Sequence, residues 1–290
     1  MRRAGSAAAT YTRPREENVG HGGGEPPKER AMILVVDIGN TETVLGVYRG
    51  LEALRCWRLA TDRHRTGDEL ALVVESLLRR ACSDSDGPIR RALIASVVPV
   101  MDRLWEHALG VLEIPLLRID GSTPLPVRLD VEDPASVGAD RIANTLAAKE
   151  LYARNTVVVD LGTATTFDCI TADGVFLGGV IAPGPRAGID RLAQVATHLP
   201  SVQIRVPEKV IGRRTVSCLD SGVFYSIVDA IDGIVSRILE EWKPADPLVI
   251  ATGGLADLVA PHCRTVHRVE PFLTLTGLAC ADRHLHPEGR

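Results

Sequence analysis

The chain has 290 residues, of which 45% are hydrophobic, so it is long enough for one large domain or two of ordinary size. Lys and Arg total 33 against 37 Asp and Glu, and this near balance gives no support for a basic surface that binds nucleic acid. Aromatic residues make up only 4%, which argues against base stacking. No apolar run reaches the roughly 18 residues that a membrane span needs. We therefore expect neither a nucleic-acid partner nor a membrane.

The six cysteines lie far apart in the sequence and include no CxxC pair, at Cys56, Cys82, Cys169, Cys218, Cys263 and Cys280. This spacing indicates neither a zinc site nor a thioredoxin-type motif. Reduced, mostly buried thiols in a cytoplasmic protein are the expected state.

Residues 1–31 differ in composition from the rest of the chain. They are rich in Gly, Pro, Arg and Glu and have no hydrophobic region of a secretory signal. Because this stretch cannot bury enough apolar surface to offset its ordering entropy, we expect a disordered and dispensable N-terminal extension. Met32, directly before a strongly apolar run, is the expected natural start.

The first half after this extension predicts strands followed by helices. An apolar run over Met32–Asn40 predicts a strand that enters a turn, and a second strand from Thr43 completes a hairpin. "ALRCWRLA" is a third strand, and Thr66–Cys82 has helical spacing. "ALIASVV" and "IPLLRID" are further strands on either side of a helix that Pro99 opens.

The second half predicts a similar order. "NTVVVDLGTATTFDCITADGVFLGGVIAPG" indicates three strands separated by glycine turns, and "PLVIATGG" a final strand. The segment Gly121–Pro134 is Pro-rich and irregular. Helices are predicted at Ala139–Ala153, Gly184–Ala196, Thr215–Trp242 and Leu273–His284.

Two stretches of the sequence match each other. "VVDIGNTETVLGVYRG" around Asp37 and "VVDLGTATTFDCITADG" around Asp160 both consist of an apolar strand, Asp-x-Gly and a Thr-rich hairpin. The match predicts an α/β protein built by duplication, with an N-terminal domain over residues 32–136 and a C-terminal domain over residues 137–290.

The Asp-x-Gly turns suit phosphate chemistry. A carboxylate such as Asp37 can hold hydrated Mg²⁺ beside phosphate oxygens, and Gly39 lets backbone N–H groups approach an anion. For a single isolated copy, a hairpin turn capped by Asp and Asn is the favoured explanation. The second copy, at Asp160, favours two turns that clasp one phosphate chain. Gly253 and Gly254, which follow a buried strand, allow close backbone approach to an adenosine.

Other nucleotide motifs are missing from the sequence. It contains no P-loop, no dinucleotide fingerprint after a strand, no protein-kinase motif set and no HExxH zinc motif. The pattern therefore favours an ATP-dependent small-molecule kinase of another type.

A candidate acceptor site lies at Gly138-Ala139-Asp140-Arg141, at a helix start. A phosphoryl acceptor hydroxyl needs a base within hydrogen-bond reach, which Asp140 can provide, and Arg141 can hold an acidic substrate. The structural alternative, that Asp140 only complements the helix dipole, is equally consistent with the residues alone.

Together, "DIGNT", "GADR", "VVDLGTATTFD", "GGVIAPG", "KVIGRRT" and "ATGGLA" resemble, in this order, the type III pantothenate kinases of the actin/hexokinase/Hsp70 superfamily. The resemblance runs from Met32 to the C-terminal helix. It implies a duplicated ribonuclease H-like (actin-like ATPase) fold, with two α/β subdomains around a nucleotide cleft. It also implies the reaction of ATP with pantothenate to ADP and 4′-phosphopantothenate, the first step of coenzyme A biosynthesis.

The resemblance also implies roles for individual residues. ATP would bind to Asp37, Ile38, Gly39, Asn40, Thr41, Glu42, Thr43, Val44 and Thr163, with Asp37 near Mg²⁺. Pantothenate would bind to Gly138, Ala139, Asp140, Arg141 and Thr215, with Asp140 as the proton acceptor. Asp160 would bind a monovalent cation, K⁺ or NH₄⁺, and the enzyme would be a homodimer.

Two other functions fit part of the pattern. One is a superfamily kinase that acts on a sugar or a short carboxylate, and the other is a non-catalytic nucleotide-binding regulatory protein. "GADR" argues against the first, and the intact Asp37, Asp140 and Asp160 argue against the second. The chain departs from the family pattern at Val131 and Asp133, where Tyr and Asn are common, so the pantothenate contacts on that side are expected to differ.

Overall fold

The computed structural model describes residues 31–81, 87–189, 200 and 202–287. Residues 1–30 of the expected extension lie outside this part. Of the predicted helix Gly184–Ala196, residues 185–189 are helical and residues 190–196 lie outside the described part. No described helix is long and apolar enough to cross a membrane.

The chain divides into two units. Among the described residues, the first comprises those up to residue 125, residues 138–143 and those from residue 274 onward, and the second comprises those within 126–137 and 144–273. This division differs from the single boundary expected between residues 136 and 137.

Contacts of the last helix with the first unit explain part of that difference. Gly277 packs so closely on a helix start that a Cβ there would lie 2.0 Å from the carbonyl oxygen of Ala143. The Tyr48 hydroxyl bonds to Thr276 at 3.4 Å.

The first unit contains a five-stranded sheet. Its strands are β1 (Met32–Ile38), β2 (Glu42–Arg49), β3 (Glu52–Ala60), β4 (Ile89–Ser96) and β5 (Leu116–Ile119), in the order β3-β2-β1-β4-β5. β1, β2 and β3 form an antiparallel meander, and β4 and β5 continue the sheet parallel to β1. Helices α1 (Gly67–Ala81) and α2 (Pro99–Val111) pack on it. Their apolar faces, with Trp105 at the centre, form the core.

The second unit contains a six-stranded sheet. Its strands are β6 (Arg128–Leu129), β7 (Thr156–Leu161), β8 (Ala164–Ile170), β9 (Val175–Pro183), β10 (Leu248–Thr252) and β11 (Arg268–Val269), in the order β11-β10-β7-β8-β9-β6. The remaining helices are α3 (Ala139–Tyr152), α4 (Thr215–Trp242), α5 (Ala256–Val259) and α6 (Leu273–Leu285). α3 begins in the first unit and α6 lies almost wholly in it.

The long helix α4 follows the predicted bounds. Its most buried residues are Phe224, Val228, Ile231 and Val235, which repeat at helical spacing on the face that covers the sheet. The helix ends at Lys243, whose backbone is left-handed with φ of 52°.

The duplication is confirmed by the strand order. The series β9-β8-β7-β10-β11 repeats β3-β2-β1-β4-β5, and β6 is an additional edge strand. Asp37 pairs with residues of β2 and β4, and Asp160 pairs with the equivalent strands β8 and β10. The two aspartates therefore occupy the same position, near the carboxyl end of the first strand of each sheet.

Candidate active site

The first Asp-x-Gly turn connects β1 to β2. Residues 39–42 form its loop, and the Gly39 N–H donates to the carbonyl of Glu42 at 3.0 Å. A Cβ at Gly39 would lie 2.9 Å from that carbonyl oxygen, so a larger residue would force the turn open. The glycine is therefore required by the tight closure of the loop.

The predicted ATP residues around this turn differ in exposure. Asn40, Thr41 and Glu42 are exposed, whereas Ile38 and Thr43 are buried. Ile38 packs in the core and the Thr43 hydroxyl bonds to Thr61, so these two side chains are engaged within the protein. The Asp37 side chain belongs to a half-buried residue and therefore remains partly accessible.

Val97 brings the "GADR" segment next to this turn. Its N–H donates to the carbonyl of Ile38 at 3.1 Å, and its Cγ1 lies 3.3 Å from the place a Cβ at Gly138 would occupy. Asp140 therefore lies at the same edge of the sheet as Asp37, within the first unit. The sequence predicted both residues as functional but did not predict this connection.

The Asp140 carboxylate occupies the space that a side chain at residue 138 would need. A Cβ on Gly138 would come within 2.4 Å of the Asp140 Oδ1. The same carboxylate oxygen accepts the backbone N–H of Arg141 at 2.9 Å, which fixes its orientation. Gly138 is thus needed because the carboxylate folds back over it.

Burial raises the pKa of Asp140 above the ordinary aspartate value. The Arg141 N–H and the positive charge of Arg141 oppose this shift but do not cancel it. A raised pKa makes the ionised carboxylate a stronger proton acceptor than an exposed aspartate. This buried environment is more typical of a general base than of an aspartate that only caps a helix.

The second Asp-x-Gly turn is one residue shorter than the first. Its loop is Gly162-Thr163-Ala164, and the Gly162 N–H donates to the carbonyl of Ala164 at 3.1 Å. A Cβ at Gly184 would lie 2.0 Å from the carbonyl oxygen of Thr163, so the loop rests directly on that backbone. The Thr163 residue itself is exposed.

Gly253 lies against Asp160. A Cβ there would lie 2.5 Å from the Asp160 Oδ1 and 2.8 Å from backbone atoms of Leu161, and its φ of 90° favours glycine. The sequence predicted that Gly253 lets an adenosine approach the backbone closely. In the structure, the carboxylate of Asp160 lies where a side chain at residue 253 would be. Gly254 is exposed beside it.

The remaining predicted contacts are spread over both units. Thr215 is an exposed residue at the start of α4 in the second unit, whereas Gly138–Arg141 belong to the first. Val131, one of the two departures from the family pattern, is half-buried against the core of the second unit. An apolar residue at this position therefore contributes to packing.

The carboxylates of Asp37 and Asp160 fit, in their number, the cations that the family resemblance implies. The described residues include no group of three or more His, Cys, Asp or Glu side chains arranged to hold a metal ion. The single carboxylate of Asp37 at the first turn suits Mg²⁺ that is held mainly by phosphate oxygens, because Mg²⁺ bound to nucleotides uses one or two protein carboxylates. The carboxylate of Asp160 is likewise an oxygen ligand of the kind that a hard cation takes.

Sequence reasoning missed several residues that shape these turns: Thr61, Arg63, Val97 and Gly184. Thr61 and Arg63 directly follow the third strand of the meander, beside the loop that precedes the second strand. A predicted three-stranded meander places the residues that follow its third strand beside the loop between its first two strands. Polar residues directly after the third strand could therefore have been identified from the sequence.

Comparison with known proteins identifies the family. The sequence model of the type III pantothenate kinases matches residues 33–237. A type III pantothenate kinase from Acidothermus cellulolyticus is 46% identical over 259 residues, which cover 89% of this chain and all of the relative.

Solved structures support the fold alone. A Baf family transcriptional activator from Campylobacter jejuni superimposes with a TM-score of 0.54 at 20% identity, over 88% of this chain and all of that one. A ROK family glucokinase from Streptomyces griseus, solved with glucose and AMPPNP, gives 0.50 at 13% identity, over 86% of this chain and 98% of that one. These likenesses confirm the predicted actin-like fold, and the match over residues 33–237 shows that the chain belongs to the type III pantothenate kinase family.

Proposed function

We propose that this protein transfers the γ-phosphoryl group of ATP to pantothenate, giving ADP and 4′-phosphopantothenate for coenzyme A biosynthesis. Membership of the family supports the reaction. The observation that supports the assignment of residues is the Val97 connection: its N–H donates to the carbonyl of Ile38, and its Cγ1 lies 3.3 Å from the Cβ position of Gly138, two residues before Asp140.

Asp140 is the proposed general base. Its carboxylate accepts the proton of the pantothenate hydroxyl as that oxygen forms a bond to the γ-phosphorus and the bond from this phosphorus to the leaving oxygen of ADP breaks. Phosphoryl transfer depends mainly on positioning and charge neutralisation, so one well-placed acceptor is sufficient protein chemistry. The raised pKa of Asp140 supports this role.

The turn from Asp37 to Val44 holds the ATP phosphates in this proposal. Its loop residues Asn40, Thr41 and Glu42 are the exposed ones, and Asp37 would hold Mg²⁺. When bound, Mg²⁺ neutralises part of the phosphate charge. Thr163, Gly253 and Gly254 supply further ATP contacts.

Pantothenate binds to the segment Gly138–Arg141, where the Arg141 guanidinium pairs with the pantothenate carboxylate, and to Thr215. Asp160 binds a monovalent cation, K⁺ or NH₄⁺, through its carboxylate, and Gly253 has no side chain to crowd the Asp160 Oδ1, which would lie 2.5 Å from a Cβ there. We further propose that the enzyme works as a homodimer in the cytoplasm.

A coupled ADP-release assay tests the proposal. We expect turnover that requires pantothenate and Mg²⁺ and that rises when K⁺ or NH₄⁺ replaces Na⁺. Sugars and short carboxylates offered as acceptors serve as controls. ADP release that does not depend on pantothenate would contradict the proposed substrate, and absence of any ATP turnover would contradict the kinase activity. Size-exclusion chromatography with light scattering tests the homodimer separately.

A further inference from the structure

Three hydrogen bonds from the phosphate turn converge on Thr61, the first residue after β3. The Thr61 Oγ1 donates to the carbonyl of Gly39 at 2.7 Å, and the Thr61 N–H donates to the carbonyl of Thr41 at 2.9 Å. The Thr43 Oγ1 lies 2.9 Å from the Thr61 Oγ1. A hydroxyl has one hydrogen, which Thr61 gives to Gly39, so Thr43 is the donor in the third bond.

These bonds determine which way the peptide planes of the loop face. In a trans peptide the C=O and the following N–H point in opposite directions, and the described residues contain no cis peptide bond. Because Thr61 holds the carbonyls of Gly39 and Thr41, the N–H groups of Asn40 and Glu42 point away from Thr61. Two backbone donors on one side of a loop are the arrangement that binds an anion.

The rest of the loop is held just as closely. The Gly39 N–H is engaged with the Glu42 carbonyl at 3.0 Å, so it closes the loop. The Asn40 Oδ1 accepts a bond from the Arg63 guanidinium at 3.1 Å, which adds a positive charge at the same loop. Without Thr61 the flanking glycine would allow the Gly39–Asn40 peptide to rotate.

We propose that Thr61 is a positioning residue for the ATP phosphates. It acts through the backbone, by holding the Asn40 and Glu42 N–H groups toward the phosphate chain, and it does not itself contact the nucleotide. This inference rests on the proposed binding of ATP at the turn from Asp37 to Val44.

Three variants test the role of the hydroxyl. Thr61→Val keeps the branched shape and the backbone N–H but removes the bonds of the hydroxyl to Gly39 and Thr43, and Thr61→Ser restores the hydroxyl. Thr171→Val is the matched control, because the Thr171 hydroxyl also braces a hairpin turn, at the N–H of Val175, but lies outside the proposed site. The readouts are the Kd for Mg·ADP by titration calorimetry and the KM values for ATP and pantothenate.

We expect Thr61→Val to weaken Mg·ADP binding and to raise KM for ATP by about 10-fold, the effect of losing the one side-chain hydrogen bond that holds the loop backbone, at the Gly39 carbonyl. KM for pantothenate should change by less than about twofold, and Thr61→Ser and Thr171→Val should stay close to the unaltered protein. Thermal melting of each variant shows whether it is folded at the assay temperature. If Thr61→Val unfolds there, all variants and the unaltered protein are compared at a lower temperature at which Thr61→Val is folded.

Equal Mg·ADP affinity of Thr61→Val and the unaltered protein would overturn the inference. Equal losses in Thr61→Val and Thr61→Ser would overturn it as well, because the hydroxyl would then not be the relevant group. If the unaltered protein binds Mg·ADP but shows no pantothenate-dependent turnover, the proposed function fails while the binding data still decide the role of Thr61.

Discussion

Replacing Gly138 by alanine would place a methyl group in the space that the Asp140 carboxylate occupies. The added Cβ would lie 2.4 Å from the Asp140 Oδ1 and 3.3 Å from the Val97 Cγ1. Carbon and oxygen atoms in contact need at least about 3.0 Å, so the carboxylate must move by more than about half an ångström. It can do so by rotating its short side chain, which breaks the 2.9 Å bond from the Arg141 N–H.

The expected cost falls on catalysis more than on stability. Misplacement of a reacting group by about 1 Å lowers the rate by about 100-fold, so we expect kcat of Gly138→Ala to fall by one to two orders of magnitude. Gly138 is not among the glycines with positive φ, so alanine there brings no backbone strain. We expect the melting temperature to change by only a few degrees.

The assay is steady-state ADP release at saturating ATP and pantothenate, with Gly110→Ala as the control. Gly110 lies in α2 of the same unit, and a Cβ there would meet nothing within 4 Å. A double-mutant cycle with Asp140→Asn shows whether the displaced carboxylate causes the loss, because Gly138→Ala should lower kcat little further once the base is gone. Full kcat in Gly138→Ala would refute the reasoning, and so would an undiminished loss in the Asp140→Asn background.

Other predictions concern the two carboxylates. Asp140→Asn should lower kcat by about 100-fold or more, the usual contribution of a general base. Because burial raises the pKa of Asp140, its ionised form destabilises the fold at neutral pH. The melting temperature of Asp140→Asn at pH 7 should therefore be no lower than that of the unaltered protein. Any gain in melting temperature should shrink as the pH falls through the pKa of Asp140, because the aspartate then becomes neutral. The acid limb of kcat/KM should lie above the ordinary aspartate pKa and should be absent in Asp140→Asn. Gly253→Ala should reduce activation by K⁺ or NH₄⁺, since its Cβ would meet the Asp160 Oδ1 at 2.5 Å. An unchanged cation response in a folded Gly253→Ala would remove Asp160 from the cation site.

The sequence alone was sufficient for the duplicated α/β architecture and for most elements. Long apolar periodicity located α4 at Thr215–Trp242, because such a stripe has few competing arrangements. The motifs around Asp37, Gly138–Arg141 and Asp160 identified the family, and the comparison with known proteins confirmed it. The two-residue strands β6 and β11 were not predicted, since a pairing so short has no periodicity of its own.

Only the tertiary structure decided how the site residues relate to one another. The sequence treats Asp37 and Asp140 as separate motifs, and parallel pairing of β4 with β1 makes Val97 the link between them. It also treats Gly138 and Gly253 as points of ligand approach, whereas each glycine makes room for a neighbouring carboxylate. Thr61 belongs to no motif, and its role arises from strand register, which places its hydroxyl on the Gly39 carbonyl. Local residue pattern predicts elements and their chemistry, but contacts between distant segments depend on packing that no local pattern encodes.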